Sequence, residues 1–130
     1  MATFVLVHGA WTGGWGYQEV ARSLRTAGHE VFAPTLTGLG EREHLASPAI
    51  DLSTHIKDVV NLIEYERLDD IILCGHSYGG MVVTGVAAVL GERIRTLFYL
   101  DAFLPEDGQS LWDIANDPAR KHYIDAQRDS

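Results

Sequence analysis

The stretch with chemical promise is "CGHSYGG", Cys74 to Gly80, set between the apolar runs "DDIIL" and "MVVTGVAAVL". A serine among glycines at the junction of two buried elements fits a phosphate cradle, a tight turn that displays a nucleophile, or a plain glycine-rich turn. A phosphate loop requires G-x-x-x-x-G-K-[ST], since the lysine reaches the phosphates and the hydroxyl binds magnesium. Gly75 and Gly80 keep that spacing, but Met81 and Val82 fill the two chemical positions. Dinucleotide fingerprints of the form G-x-G-x-x-G begin at Gly14 and Gly16 and at Gly38 and Gly40, and are broken by Glu19 and Glu43. No cofactor is called for.

The pattern G-x-S-x-G is complete at Gly75, Ser77 and Gly79. A strand that turns at once into a helix forces the residue between them into strained backbone geometry, and small neighbours two positions away relieve the crowding. Ser77 is therefore predicted to be a catalytic nucleophile, with its Oγ exposed at the carboxyl edge of a sheet. The following helix directs its positive dipole end toward an oxyanion formed there. Acyl transfer also needs N–H donors aimed at that oxyanion. The amide of Tyr78 is one candidate, and the loop "HGAW", residues 8 to 11, supplies a second at Ala10.

These parts must be positioned by regular elements, and the hydrophobic pattern supplies them. "TFVLV" (3 to 7) is an apolar run suited to a strand buried on both faces. Tyr17, Val20, Ala21 and Leu24 follow helical spacing up to Gly28, and "HEVFAP" (29 to 34) is a second strand. "TLTGLGEREHLASPAI" reads as a long polar loop. Leu52, Ile56, Val59, Val60 and Ile63 form one stripe of an amphipathic helix over 51 to 66, with Asp51 or Ser53 as N-cap. Strands follow at 70–74 and 94–101, with an apolar helix at 81–90 between them. Two short helical patterns close the chain, "SLWDIAN" and "PARKHYIDAQ". The alternation βαβαβαβ predicts an α/β fold with a mainly parallel sheet and flanking helices. Residues 1–104 are expected to form its core, with the two short helical patterns of 105–130 following it.

Composition narrows the partners. With 130 residues the chain forms one domain at most. Ten basic against eighteen acidic side chains and no Lys/Arg cluster argue against nucleic acid. The longest apolar stretch, 81 to 90, is about half a membrane span, and the start lacks a basic targeting region, so a cytoplasmic location off the membrane is expected. Cys74 is the single cysteine, which excludes an internal disulfide and a cysteine-built zinc site. No metal is expected.

The segments "FVLVHGAWTGGW", "LRTAGHEVFAPTLTGLG", "IILCGHSYGGMV" and "YLDAFLPEDGQS" resemble the α/β-hydrolase family. The resemblance is to the N-terminal part of that fold. It is closer to the branch of small esterases and hydroxynitrile lyases related to plant methyl-ester hydrolases. It implies a serine hydrolase acting on a small-molecule carboxylic ester, with Ser77 completed by a later Asp or Glu and then a His. Lyases of that branch tend to carry threonine after the strand-end histidine and glutamate before the nucleophile. Gly9 and His76 stand there instead, which favours an esterase.

Ser77 needs a histidine that an acid orients. In the resemblance His8 and His76 are structural, and His122 falls on a helix of the helical cap that 105–130 begin. Asp51 and His55, at i and i+4, could share a metal, but a capped, solvated helix end is the commoner expectation. His29 and His44 read as surface residues, and Asp101 as a loop anchor at a position where some family members keep their acid. No further strand is legible in 102–130, and the fourth strand would keep an apolar edge. The expectation is an N-terminal portion of a longer hydrolase, lacking the triad Asp and His. Alternatively the sheet is finished by another chain, through homo-oligomerisation or complementation by the C-terminal part. Competing functions are a hydroxynitrile lyase and a non-catalytic ligand-binding or assembly module. Trp11, Trp15, Tyr78 and Phe103 are candidates to line a substrate pocket, with packing as their commoner use.

Overall fold

The computed structural model describes residues 1–100. Phe103, Asp101, His122, the end of the predicted core and both cap helices lie outside the described residues. The elements run β1 (Thr3–Val7), α1 (Gln18–Thr26), β2 (Glu30–Phe32), α2 (Leu52–Tyr65), β3 (Ile71–His76), α3 (Gly79–Leu90) and β4 (Ile94–Leu100). The α/β alternation is as the sequence predicts. Two details differ. Tyr17 belongs to a 3-10 turn, Gly14–Tyr17, just before α1, and Val20 is 51% exposed, at the margin of the buried stripe. The polar segment after β2 contains a 3-10 turn, Gly40–Leu45, and a fully buried Leu36.

The four strands are parallel in the order β2-β1-β3-β4. The chain leaves β1 toward one edge, returns through α2, and lays β3 on the other side of β1. The strand order reverses between β1 and β3, the place where parallel α/β sheets open a crevice at their carboxyl ends. In register, Val7 lies opposite Gly75, so the loops leaving β1 and β3 start side by side.

Side chains alternate across the pleat. Val5 and Val7 of β1 and Ile71 and Leu73 of β3 join Val59 and Ile63 of α2 and Val82, Val83 and Val86 of α3 in the main core. Leu6 and Cys74 point the other way and pack with Tyr17, Ala21 and Val31 under α1. Asp51 is the N-cap of α2. It accepts from the Thr54 amide at 3.1 Å while Thr54 Oγ1 accepts from the Asp51 amide at 3.3 Å, the reciprocal arrangement of a capping box.

Candidate active site

Ser77 is the first residue of the two-residue turn between β3 and α3, with φ +62°, in the left-handed region that side-chain-bearing residues avoid. The flanking glycines make the turn possible. A Cβ on Gly75 would lie 2.5 Å from the Gly79 carbonyl oxygen, and one on Gly79 would lie 2.5 Å from the Val7 carbonyl oxygen. The elbow thus packs backbone against backbone, within itself and against the end of β1.

The predicted exposure of Ser77 is corrected: the residue is only 3% exposed. The loop leaving β1 folds across it. A Cβ on Gly9 would stand 2.9 Å from Ser77 Cβ and 3.2 Å from its Oγ, so that loop rests directly on the serine. Ser77 lies instead in a cavity of about 370 Å³ that it lines with Gly9, Ala10, Trp11, Trp15, Tyr17 and His76 among others. Ala10, Trp11 and Trp15 thus share one cavity with Ser77. Tyr78 follows Ser77 as the residue before α3, but its side chain packs against the main core rather than lining the cavity.

The β1 exit is held by side chains. His8 is 1% exposed and has a partner at each ring nitrogen: Nδ1 meets the Gly9 carbonyl at 2.6 Å and Nε2 meets the Leu36 amide at 2.9 Å. A carbonyl only accepts and an amide N–H only donates, so Nδ1 carries the proton and the ring is neutral. Burial pushes its pKa below the ordinary value, opposed by the bond to Gly9. His8 is structural, as the resemblance implies. The Tyr17 hydroxyl donates to the Val7 carbonyl at 2.9 Å, and burial raises its pKa. Cys74, beside Tyr17, is a buried thiol with its pKa raised by the same cause.

The elbow is tied to α2 by a network that sequence reasoning missed. His55 Nε2 is 2.9 Å from the Thr37 carbonyl and Nδ1 is 2.7 Å from the Tyr78 hydroxyl. The carbonyl fixes a proton on Nε2, so in the neutral ring Tyr78 O–H donates to Nδ1. Asp58 in turn accepts from the Thr37 amide and from Thr37 Oγ1, each at 2.7 Å. Burial first, and Asp51 second, push the Tyr78 phenol up to about 12. The expectation of a solvated helix end holds for the exposed Asp51 cap and is corrected for His55, which is 6% exposed. Its signal was present in the sequence: His55, Val59 and Ile63 repeat at four-residue spacing, and these are the buried positions of α2. Of the predicted surface histidines, His44 is exposed, whereas His29 is half-buried, its Nδ1 accepting from the Ala2 amide at 3.0 Å.

Among the described residues no three His, Cys, Asp or Glu side chains converge as metal ligands, and no helix is long and apolar enough to cross a membrane. A hydroxyl at the floor of a cavity, with two strand-exit loops meeting over it, can attack a bound acyl group once a base removes its proton.

Residues 4–129 match the alpha/beta hydrolase family. The chain is 61% identical over 111 residues to a carbendazim hydrolyzing esterase of Nocardioides sp. (strain SG-4G), covering 85% of this chain and 46% of that protein. It is 35% identical over 106 residues to an alpha-hydroxynitrile lyase of Arabidopsis thaliana, covering 79% of this chain and 40% of that one. A solved structure of an extracellular alpha/beta-hydrolase from a Paenibacillus species superposes with a TM-score of 0.83 at 35% identity, over 98% of this chain and 52% of the other. The chain spans about half the length, or less, of these relatives.

Proposed function

The chain belongs to the α/β-hydrolase family, and from that premise we propose that it is a serine hydrolase of small-molecule carboxylic esters. The observation that carries this reading is Ser77 at φ +62°, buried at the floor of a cavity where the strand order reverses. In the proposed reaction Ser77 Oγ attacks the acyl carbon and its proton passes to a histidine. The carbonyl oxygen becomes an oxyanion held by the amides of Ala10 and Tyr78. Collapse expels the alcohol, which takes the proton from the histidine, and water then releases the acid from the acyl-enzyme by the same steps.

In this reading the base and its orienting acid lie outside residues 1–100, as the resemblance implies. His8 and His55 each spend both ring nitrogens on structural hydrogen bonds. A cytoplasmic location belongs to the same proposal. The name of the Nocardioides relative makes carbendazim the first compound to try alongside simple methyl and aryl esters.

A fluorophosphonate probe tests the reading. Covalent labelling that disappears in Ser77→Ala, with ester turnover lost in parallel, is the expected result. A folded protein that includes the triad partners and still takes no label would turn the reading toward a ligand-binding module. The lyase relative supports a second reading, a hydroxynitrile lyase that uses the same serine in a proton relay. Turnover of a cyanohydrin without turnover of any ester would establish that alternative.

A further inference from the structure

Trp15 is 57% exposed, yet it is not loose. Its indole nitrogen lies beside the Glu41 carboxylate. A Cβ on Gly13 would fall 2.5 Å from Trp15 Nε1 and 2.8 Å from Glu41 Oε1, so the indole edge and the carboxylate lie together over the bare Cα of Gly13. Glu41 is fixed from its other oxygen as well. Oε2 accepts from Thr35 Oγ1 at 2.7 Å, and that hydroxyl accepts from the Gly14 amide at 2.8 Å. The circuit Gly14, Thr35, Glu41, Trp15 closes on the same 3-10 turn that carries the tryptophan. Gly40 presses this second segment onto the first, for a Cβ there would meet Gly13 Cα at 3.0 Å.

An aromatic side chain usually loses rotamer freedom when a ligand docks against it, and the fold has already removed that freedom here. Trp15 lines the cavity with Ser77 and with a second exposed indole, Trp11. None of the described cavity-lining residues is an Asp, Glu, Lys or Arg. A rigid indole rewards a flat π-system beyond the apolar area it covers, whereas an aliphatic chain gains the area alone.

From these contacts we infer that Trp15 is a specificity-determining residue, a pre-positioned aromatic wall that selects uncharged esters carrying a flat aromatic group over aliphatic esters of similar size. Glu41 is its positioning residue. The inference rests on the ester-hydrolase reading and names its substrate class.

The test compares kcat/KM for 1-naphthyl acetate and hexyl acetate in the full chain. It is paired with calorimetric binding of 1-naphthyl acetate to Ser77→Ala and to Ser77→Ala carrying each second change. Trp15→Leu is expected to lower the naphthyl-to-hexyl ratio about tenfold, through KM, and to weaken binding by a similar factor. Trp15→Phe should keep most of the preference, and this variant guards against a Leu substitution that fails to fold. Glu41→Ala should cost about threefold in the ratio, while Glu41→Gln, which keeps an oxygen of the same reach beside the indole, restores it. A ratio that Trp15→Leu leaves unchanged, with both esters hydrolysed, overturns the inference and leaves the hydrolase reading standing. Turnover of neither ester, with Trp15-dependent binding of 1-naphthyl acetate intact, does the reverse.

Discussion

The two loops that meet over Ser77 are built in opposite ways. The β3 exit is a single strained residue between glycines, and its neighbours are backbone atoms of its own turn and of β1. The β1 exit is longer and more open. His8 and Tyr17 anchor it from below, and Trp11 and Trp15 stand exposed at its rim. One loop is rigid because nothing larger than hydrogen fits beside it. The other is tied down by side chains as well, from His8, Tyr17 and Thr35. A reacting atom belongs on the first kind of loop, and a surface that selects among ligands belongs on the second.

The contrast predicts unequal costs of substitution. Gly79→Ala should do more damage than the loss of any one side-chain tie, since its Cβ would meet the Val7 and His8 carbonyl oxygens at 2.5 and 2.8 Å and neither can swing aside. A loss of about 3 kcal/mol in urea unfolding is expected. A loss under 1 kcal/mol would show that the elbow yields and would break the comparison. His8→Leu comes next, at about 2 kcal/mol, because it leaves the buried Leu36 N–H and Gly9 carbonyl without their partner. His55→Leu should cost about 1.5 kcal/mol by stranding the Tyr78 hydroxyl, and adding Tyr78→Phe should recover part of it. A double-mutant cycle measures that recovery, and strictly additive losses would dissolve the proposed tie between elbow and α2.

A pH titration sharpens the role of His8. Its folded pKa is depressed by burial, so the unfolded chain binds the proton more readily. The stabilisation is complete above the ordinary histidine value of 6.5 and declines as pH falls below it toward the folded value. The urea midpoint of the native chain should therefore drop more steeply between pH 7 and 5 than that of His8→Gln. Equal slopes would remove His8 from the account. The smallest effect is expected at the rim, where Trp11, 63% exposed, should be replaceable by alanine within about 0.5 kcal/mol of stability. A larger loss in thermal melting would make that rim part of the scaffold.

Much of the first loop was legible in the residues. Gly75, Ser77 and Gly79 announce their turn because the steric conflict they resolve is local, and the strand and helix on either side are written in apolar runs of the right length. The exposure expected of Ser77 failed for a non-local reason: the chain that buries it, around Gly9, lies 68 residues earlier. His55 was read as solvated because its i, i+4 partner Asp51 suggested a capped end, although the repeat through Val59 and Ile63 pointed inward. Nothing in the spelling of Trp15 or Glu41 told of their contact, which depends on Gly13 and Gly40 coming face to face.

The sequence by itself determined the alternation of strands and helices, a cap at Asp51 or Ser53 and the strained turn at Ser77, since periodicity and backbone sterics act over a few residues. The tertiary structure alone decided that β3 lies beside β1, which brings the two exits together over one cavity. It also decided which nitrogen of each buried histidine holds its proton. Those outcomes rest on hydrogen bonds and packing between segments 18 to 68 residues apart, and local patterning carries no record of them.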